Sequence, residues 1–218
     1  MKLRSVFSGL VLMMAGMAVA ASAQAAIDLI PKELVIRDKA ETVRIVNRGD
    51  RTEYVSISLS RMLNPGVELA DEKLEPVGDM LQPALFASPF RVTLAPGQTK
   101  VVTLKPTRSV DAETVYRLDV QPMVRMLGEN QQRAAGSVVV NLAFKGLVRQ
   151  LPERERATAE VTCGEHGARI TATGNVRYTV SDAMVDGHKQ NDFNVYPGTS
   201  QSLKGVVIEV PGQRVCRG

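Results

Sequence analysis

Cysteine and histidine, the side chains that most often bind metals or act as nucleophiles and bases, are scarce in this chain of 218 residues. There are two of each, and the cysteines are Cys163 and Cys216. An even pair of cysteines in an exported protein is most simply a disulfide, and closing so long a loop could contribute about 4 kcal/mol. The alternative is a zinc site of Cys163, His166, His188 and Cys216, but this spacing matches no known zinc pattern. We therefore predict a Cys163–Cys216 disulfide, no metal site and no cofactor.

The sequence also offers little for catalysis or nucleic-acid binding. His166 and His188 are the only candidate imidazole bases, and both lie beside glycine in turn-like sequence. The chain has no Gly-x-Ser-x-Gly nucleophile elbow, no His-Glu-x-x-His motif and no phosphate-binding loop. Aromatic residues make up 4% of the chain, tryptophan is absent, and the formal net charge is only +4. We therefore predict a protein that is not an enzyme and does not bind nucleic acid.

The run 136–149 is the most informative for function. Alternate side chains of a strand share a face. One face of this run carries the apolar row Val138, Val140, Leu142 and Phe144, and the other carries Val139, Asn141, Ala143 and Lys145. The apolar row could fill the core of its own domain, or it could belong to an edge strand that offers it to another polypeptide. The residues alone leave both interpretations open.

Strand patterns dominate the sequence that leads to this run. Residues 54–60 alternate between apolar side chains and serines, which is typical of a strand with one buried face. Residues 90–94 and 99–104 form a predicted hairpin, because Pro96-Gly97 suits a turn in which glycine has positive φ. Further strands are predicted at 34–36, 42–47, 115–120 and 137–148. About seven strands without any helical period indicate an immunoglobulin-like sandwich.

A second unit follows a break in the strand pattern. Pro152 and the alternating charges of 153–156 are typical of a domain joint. Strands are predicted beyond it at 159–163, 169–173, 176–180, 193–196 and 206–210. We therefore expect an all-β protein with domains at 26–150 and 151–218. The second has about 65 residues, a size at which a disulfide adds needed stability.

Residues 1–25 have the pattern of a secretory signal peptide. Lys2 and Arg4 precede an apolar stretch at 6–20, and small residues then offer a cleavage site after Ala25. The alternative is an uncleaved anchor, but the stretch is shorter than the ~20 residues that a membrane span needs. Its removal would lower the net charge from +4 to +2. We predict an exported mature protein without a membrane span.

Four stretches carry a likeness to a known family, and they are 94–100, 113–118, 138–152, and 173–177 ahead of 195–198. In these stretches the chain resembles the periplasmic assembly chaperones of the chaperone–usher pathway, and most of all their alternate, colonization-factor-type branch. The resemblance covers nearly the whole mature chain in the same order.

The resemblance implies a periplasmic chaperone of two immunoglobulin-like domains in an L or boomerang arrangement. Its partners would be pilin subunits, each of which lacks the last strand of its fold, and an outer-membrane usher. The chaperone would lend one of its own strands to each pilin in the process called donor-strand complementation. Val138, Val140, Leu142 and Phe144 match the donor row.

The resemblance also implies a cleft that anchors the C-terminal carboxylate of the pilin. Lys145 matches the cleft lysine, whereas Glu33 lies near the position of the usual arginine. Arg117 and Arg149 are candidates for the missing guanidinium, which could hold a carboxylate through two parallel hydrogen bonds. Alternatively, each arginine pairs with an acid of the 153–156 joint. The alternative function is an exported immunoglobulin-like subunit, structural or adhesive, of a surface fibre.

Overall fold

The computed structural model describes residues 26–123 and 142–218, and these residues form strands, turns and two single-turn 3₁₀ helices. The predicted signal peptide and the segment 124–141 lie outside the described residues. No helix in the described ranges is long and apolar enough to cross a membrane.

The first sandwich contains the strands before residue 151. They are β1 (Ile27–Ile30), β2 (Glu33–Ile36), β3 (Glu41–Asn47), β4 (Glu53–Met62), β5 (Leu74–Pro76), β6 (Leu85–Ser88), β7 (Arg91–Leu94), β8 (Thr99–Pro106), β9 (Thr114–Pro122) and β10 (Phe144–Gln150). One sheet has the order β1-β3-β8-β6, and the other has the order β2-β10-β9-β4-β5 with β7 also paired to β4. All pairs are antiparallel except β2–β10, which is parallel.

The two sheets bury one continuous apolar core. The predicted inward row of β4, Val55, Ile57 and Leu59, is buried there. The predicted hairpin of β7 and β8 is wrong, because β7 pairs with β4 in one sheet whereas β8 pairs with β3 and β6 in the other. The predicted Pro96-Gly97 turn between these strands is present. Gly97 has φ 71°, and the Gln98 N–H donates a hydrogen bond to the Ala95 carbonyl at 3.0 Å. The alternating pattern of residues 54–60 therefore predicted the core-facing side of β4 correctly.

The strand prediction missed β1, β5 and β6, which are three or four residues long. Such short strands show too few alternations for a period of two to be recognised. The equally short β2 and β7 were recognised by other signals, which are an apolar run and the adjoining Pro96-Gly97 turn. The last predicted strand, 137–148, is a strand from Phe144 onward, and it continues to Gln150. Its part before residue 142 lies outside the described residues.

The second sandwich has its own core. Its strands are β11 (Ala159–Gly164), β12 (Gly167–Ala172), β13 (Tyr178–Val180), β14 (Met184–Val185), β15 (His188–Lys189), β16 (Phe193–Val195), β17 (Ser200–Lys204), β18 (Val207–Glu209) and β19 (Cys216–Arg217). They form sheets ordered β11-β12-β17, β13-β16 and β15-β14-β18-β19. Ile170, Val195 and Ile208 are fully buried between them. Edge strand β17 was missed because Ser-Gln-Ser-Leu-Lys has only one apolar residue.

The predicted disulfide is confirmed, and it joins two sheets of the second sandwich. Cys163 lies on β11 and Cys216 on β19, with 5.3 Å between their Cα atoms. Both sulfurs are consumed in this bond, so the zinc alternative is wrong. The bridge spans 53 residues of sequence and restricts the unfolded chain of a unit with a small core.

Replacing both cysteines, as Cys163→Ala with Cys216→Ala, should destabilise the second sandwich by about 2–5 kcal/mol. The measurement is a urea unfolding curve of the oxidised protein against the double variant. Reducing agent should shift the wild-type midpoint and leave that of the variant unchanged. Equal midpoints for oxidised wild type and variant would contradict the stabilising role.

Candidate functional site

The outward face of β9 and β10 carries the charged residues that the sequence analysis selected. Gly146, Val148 and Gln150 of β10 point into the first core, so the intervening residues point outward. In the β9–β10 register Lys145 is opposite Asp119, Leu147 is opposite Arg117, and Arg149 is opposite Val115. We call these six outward residues the cleft face.

The second sandwich covers one end of the cleft face. Tyr196 is buried there against Met62 and Val115, and Leu147 packs beside them. The Gln201 Nε2 donates a hydrogen bond to the Gly66 carbonyl of the first sandwich at 3.0 Å. A cleft of about 460 Å³ remains between the two sandwiches. Its walls come from both, with Met62, Val67, Arg117 and Leu147 on one side and Phe193, Tyr196 and Leu203 on the other.

Arg149 is part of the joint between the sandwiches. Its Nε donates to Glu113 Oε1 at 2.6 Å, and the backbone N–H of Arg177 donates to Glu113 Oε2 at 2.6 Å. The Glu113 side chain has no solvent exposure, and Glu33 lies within 3.6 Å of Arg149 and 3.3 Å of Arg177. Burial by itself lowers the pKa of Arg149, but the Glu113 hydrogen bond and the charges of Glu113 and Glu33 outweigh it, so the pKa is raised.

Arg117 also has an acidic partner from the same chain. Its guanidinium makes two parallel hydrogen bonds to Glu72, one of them from Nε to Oε2 at 3.1 Å. The side chains of Arg117 and Glu72 are only 13% and 4% exposed. Neither arginine pairs with the 153–156 joint, where Glu155 instead binds Arg37 at 2.8 Å.

Lys145 differs from both arginines because it is exposed and has no ion pair within 4 Å among the described residues. Its opposite neighbour on β9 is Asp119. Burial raises the pKa of Asp119, and the charges of Lys145 and Arg117 only partly oppose this shift. The Lys145 ammonium is therefore available to an external anion at the open end of the cleft face.

The predicted donor row falls partly outside the described residues. Val138 and Val140 are not described, whereas Leu142 precedes β10 and is 49% exposed. Phe144 is the first residue of β10 and packs, half-buried, against the first core. The row therefore leaves the core of its own domain between Phe144 and Leu142.

The structure brings Lys145, Arg117 and Arg149 onto one face, as the sequence analysis expected of cleft residues. It also shows two partners that the sequence analysis did not select, Glu72 and Glu113. They lie 45 and 36 residues from the arginines they bind, and no local spacing signals such pairs. Among the described residues, no three of His, Cys, Asp and Glu come together as a metal site.

Two fimbrial proteins of Escherichia coli are similar in sequence to this chain. One is a fimbrial subunit of CS1, which is 25% identical over 175 residues that cover 74% of this chain and 72% of that protein. The other is a fimbrial subunit of CFA/I, which is 25% identical over 174 residues with the same coverage. No family model matches the chain.

Solved structures of fimbrial chaperones share its fold. The class 5 fimbriae chaperone CfaA superposes with a TM-score of 0.66 and 20% identity, covering 84% of this chain and 90% of that one. A chain of the chaperone–tip adhesin complex of CFA/I fimbriae gives a TM-score of 0.67 and 20% identity, covering 85% and 90%. The Escherichia coli chaperone DraB gives 0.58 and 13%, covering 88% and 89%. The predicted fold of two immunoglobulin-like sandwiches is confirmed.

Neutralising the buried acid of the joint should destabilise the protein more than neutralising a surface acid. Glu113→Gln removes the charge that compensates Arg149, and losing one partner of a buried pair costs about 3–5 kcal/mol. Glu75→Gln is the matched control, because the Arg61–Glu75 pair is 39% exposed on both sides and is worth about 0–1 kcal/mol. Urea unfolding midpoints compare the two variants. Similar midpoints would show that Glu113 does not hold the joint.

Proposed function

We propose that this protein is a periplasmic chaperone that binds pilin subunits by donor-strand complementation and delivers them to an outer-membrane usher. It acts by binding alone, without catalysis. The observation that carries the proposal is the position of β10, whose apolar row runs from the core of its own domain to an exposed end. The fold shared with fimbrial chaperones supports the same function.

The pairing of β10 leaves space for an added strand. Strand β9 pairs along all of Phe144–Gln150, but β2 pairs only with the last four residues, from Leu147 onward. In the described part of the chain, no strand pairs with the β2 side of residues 144–146. A strand with unpaired N–H and C=O groups at its edge is a template for a strand of another protein. We propose that the pilin pairs with β10 here and with the residues that precede it.

The donor row supplies the hydrophobic part of the binding energy. Burying an aliphatic or aromatic side chain contributes about 1.5–3 kcal/mol. Val138, Val140, Leu142 and Phe144 would therefore contribute roughly 6–12 kcal/mol before the cost of ordering both chains is subtracted. Phe144 already contacts the first core, so the gain comes mainly from the other three.

Lys145 is the proposed anchor for the C-terminal carboxylate of the pilin. It is exposed on the cleft face, beside the end of β10 where the added strand would begin. Arg149 is expected to keep the joint together rather than to bind the pilin, because Glu113 already occupies its guanidinium. Arg117 remains a candidate, although Glu72 is bound to it in the free chain.

The predicted signal peptide and the disulfide both support the periplasm as the site of action, because disulfides persist in that oxidising compartment. The names of the two sequence relatives favour the alternative, in which the chain is itself a fimbrial subunit. Such a protein would have one incomplete sandwich. The presence of two sandwiches with separate cores supports the chaperone instead.

Val140→Glu should abolish the complex with the pilin, because it would place a charge in the apolar groove of that partner. The test is co-expression with the cognate pilin and purification through a tag on the chaperone. Val139→Glu is the matched control, since Val139 belongs to the opposite face of the same run. Circular dichroism checks that both variants are folded. If Val140→Glu retained the pilin, the proposal that the donor row binds the pilin would be wrong.

Lys145→Ala should weaken the complex by about 1.5–3 kcal/mol, the usual contribution of a hydrogen bond to a charged group. Dissociation of the purified complex, followed by transfer of pilin to an excess of tagged wild-type chaperone, measures the effect. Lys105→Ala removes an exposed lysine of β8, in the other sheet, and should have no effect. Equal dissociation rates for the two variants would show that Lys145 does not bind the pilin carboxylate.

A further inference from the structure

The Arg117–Glu72 pair connects the cleft face to a loop whose other hydrogen bonds, among the described residues, lie at its base, in one internal turn and at the Gly66 carbonyl. This loop, residues 63–73, joins β4 to β5. Asn64 closes its base, with Nδ2 donating to the Asp71 carbonyl at 2.9 Å and Oδ1 accepting from the Lys73 N–H at 2.6 Å. Within that base Glu72 binds Arg117, and further along the loop the Gly66 carbonyl accepts a hydrogen bond from Gln201 of the second sandwich.

Glu72 places a carboxylate where an external ligand could also place one. Arg117 lines the cleft, so its guanidinium is reached from the same space that a bound peptide would enter. Two parallel N–H···O bonds to a carboxylate are the strongest and most specific contacts that a guanidinium makes. An incoming carboxylate could reproduce both bonds while Glu72 returns to water, so the exchange would leave no buried charge unpaired.

The position of Arg117 relative to Lys145 makes this exchange relevant to binding. Arg117 is opposite Leu147, and Lys145 is opposite Asp119, so the two cations are diagonal neighbours on one face of the β9–β10 pair. Diagonal neighbours on antiparallel strands are within reach of one another through long side chains. A carboxylate bound by Lys145 is thus close enough to contact Arg117 as well.

We propose that Glu72 acts as an internal competitor, which occupies the guanidinium of the candidate anchor Arg117 until a pilin binds. This inference rests on the proposed function. The C-terminal carboxylate of the pilin replaces Glu72, is held by Arg117 together with Lys145, and releases the Glu72 side chain to water. Glu72 is therefore an internal competitor that lowers the affinity of the cleft for the pilin.

The first experiment needs no pilin and uses acetate as the probe. Glu72→Ala leaves space beside Arg117, so its lowered melting temperature should recover in sodium acetate but not in sodium chloride of equal ionic strength. The double variant Glu72→Ala with Arg117→Gln and the surface variant Glu75→Ala should show no acetate-specific recovery. An equal response to both salts would overturn the proposal. Should Glu72→Ala fail to fold, Glu72→Gln carries the same titration, in which the Arg117 Nε resonance must move with acetate alone.

The second experiment measures the relative affinity of variant and wild-type chaperone for the pilin, from the equilibrium partition of the pilin between the two. Glu72→Gln weakens the competitor at nearly constant volume, and the affinity should rise by about three- to tenfold, because the free chain loses a charge-assisted bond that the complex does not contain. Adding Arg117→Gln should cancel this gain. If wild type binds no pilin, the proposed function fails. If wild type binds the pilin but Glu72→Gln binds it with the same affinity, the proposed function stands and the competitor role of Glu72 is wrong.

Discussion

The first core and the cleft face both depend on the alternation of side chains along β10. Because successive residues of a strand point to opposite faces, every residue of β10 belongs either to the first core or to the cleft face. The core residues of β10 and its residues on the cleft face are therefore fixed relative to each other. A shift of register by one residue would exchange them and place Lys145 in the core. Pairing with β9 along the full strand and with β2 at its end prevents that shift.

Buried acids determine how the rest of the cleft is arranged. A carboxylate without solvent exposure must have a cationic or hydrogen-bonding partner, since an unpaired buried charge costs several kcal/mol. Glu113 meets this need across the two sandwiches, through Arg149 and the N–H of Arg177. Glu72 meets it within the first sandwich, through Arg117. Because these ion pairs occupy Arg149 and Arg117, they also determine which cations of the cleft are free to bind a partner.

The sequence predicted the parts of the fold that show a long alternation and missed those that do not. Strands β4, β7 and β8 were recognised because their inward residues are apolar and the turn between β7 and β8 contains Gly97. Their predicted pairing as a hairpin was wrong, because β7 and β8 belong to different sheets. Strand β17 was missed because an edge strand needs few apolar residues. Lys145 was selected because it matches the cleft lysine of the family that the sequence resembles. Glu72 and Glu113 were not, because each meets its arginine only through the pairing of strands distant in sequence.

The described positive and negative charges around the cleft are equal in number, and this affects the rate at which a partner encounters the cleft. Four described cations there are matched by four described acids, namely Lys145, Arg117, Arg149 and Arg177 with Asp119, Glu72, Glu113 and Glu33. Such a surface has almost no field beyond a Debye length of about 8–10 Å. Encounter is then governed by diffusion rather than by steering, and its rate varies little with ionic strength.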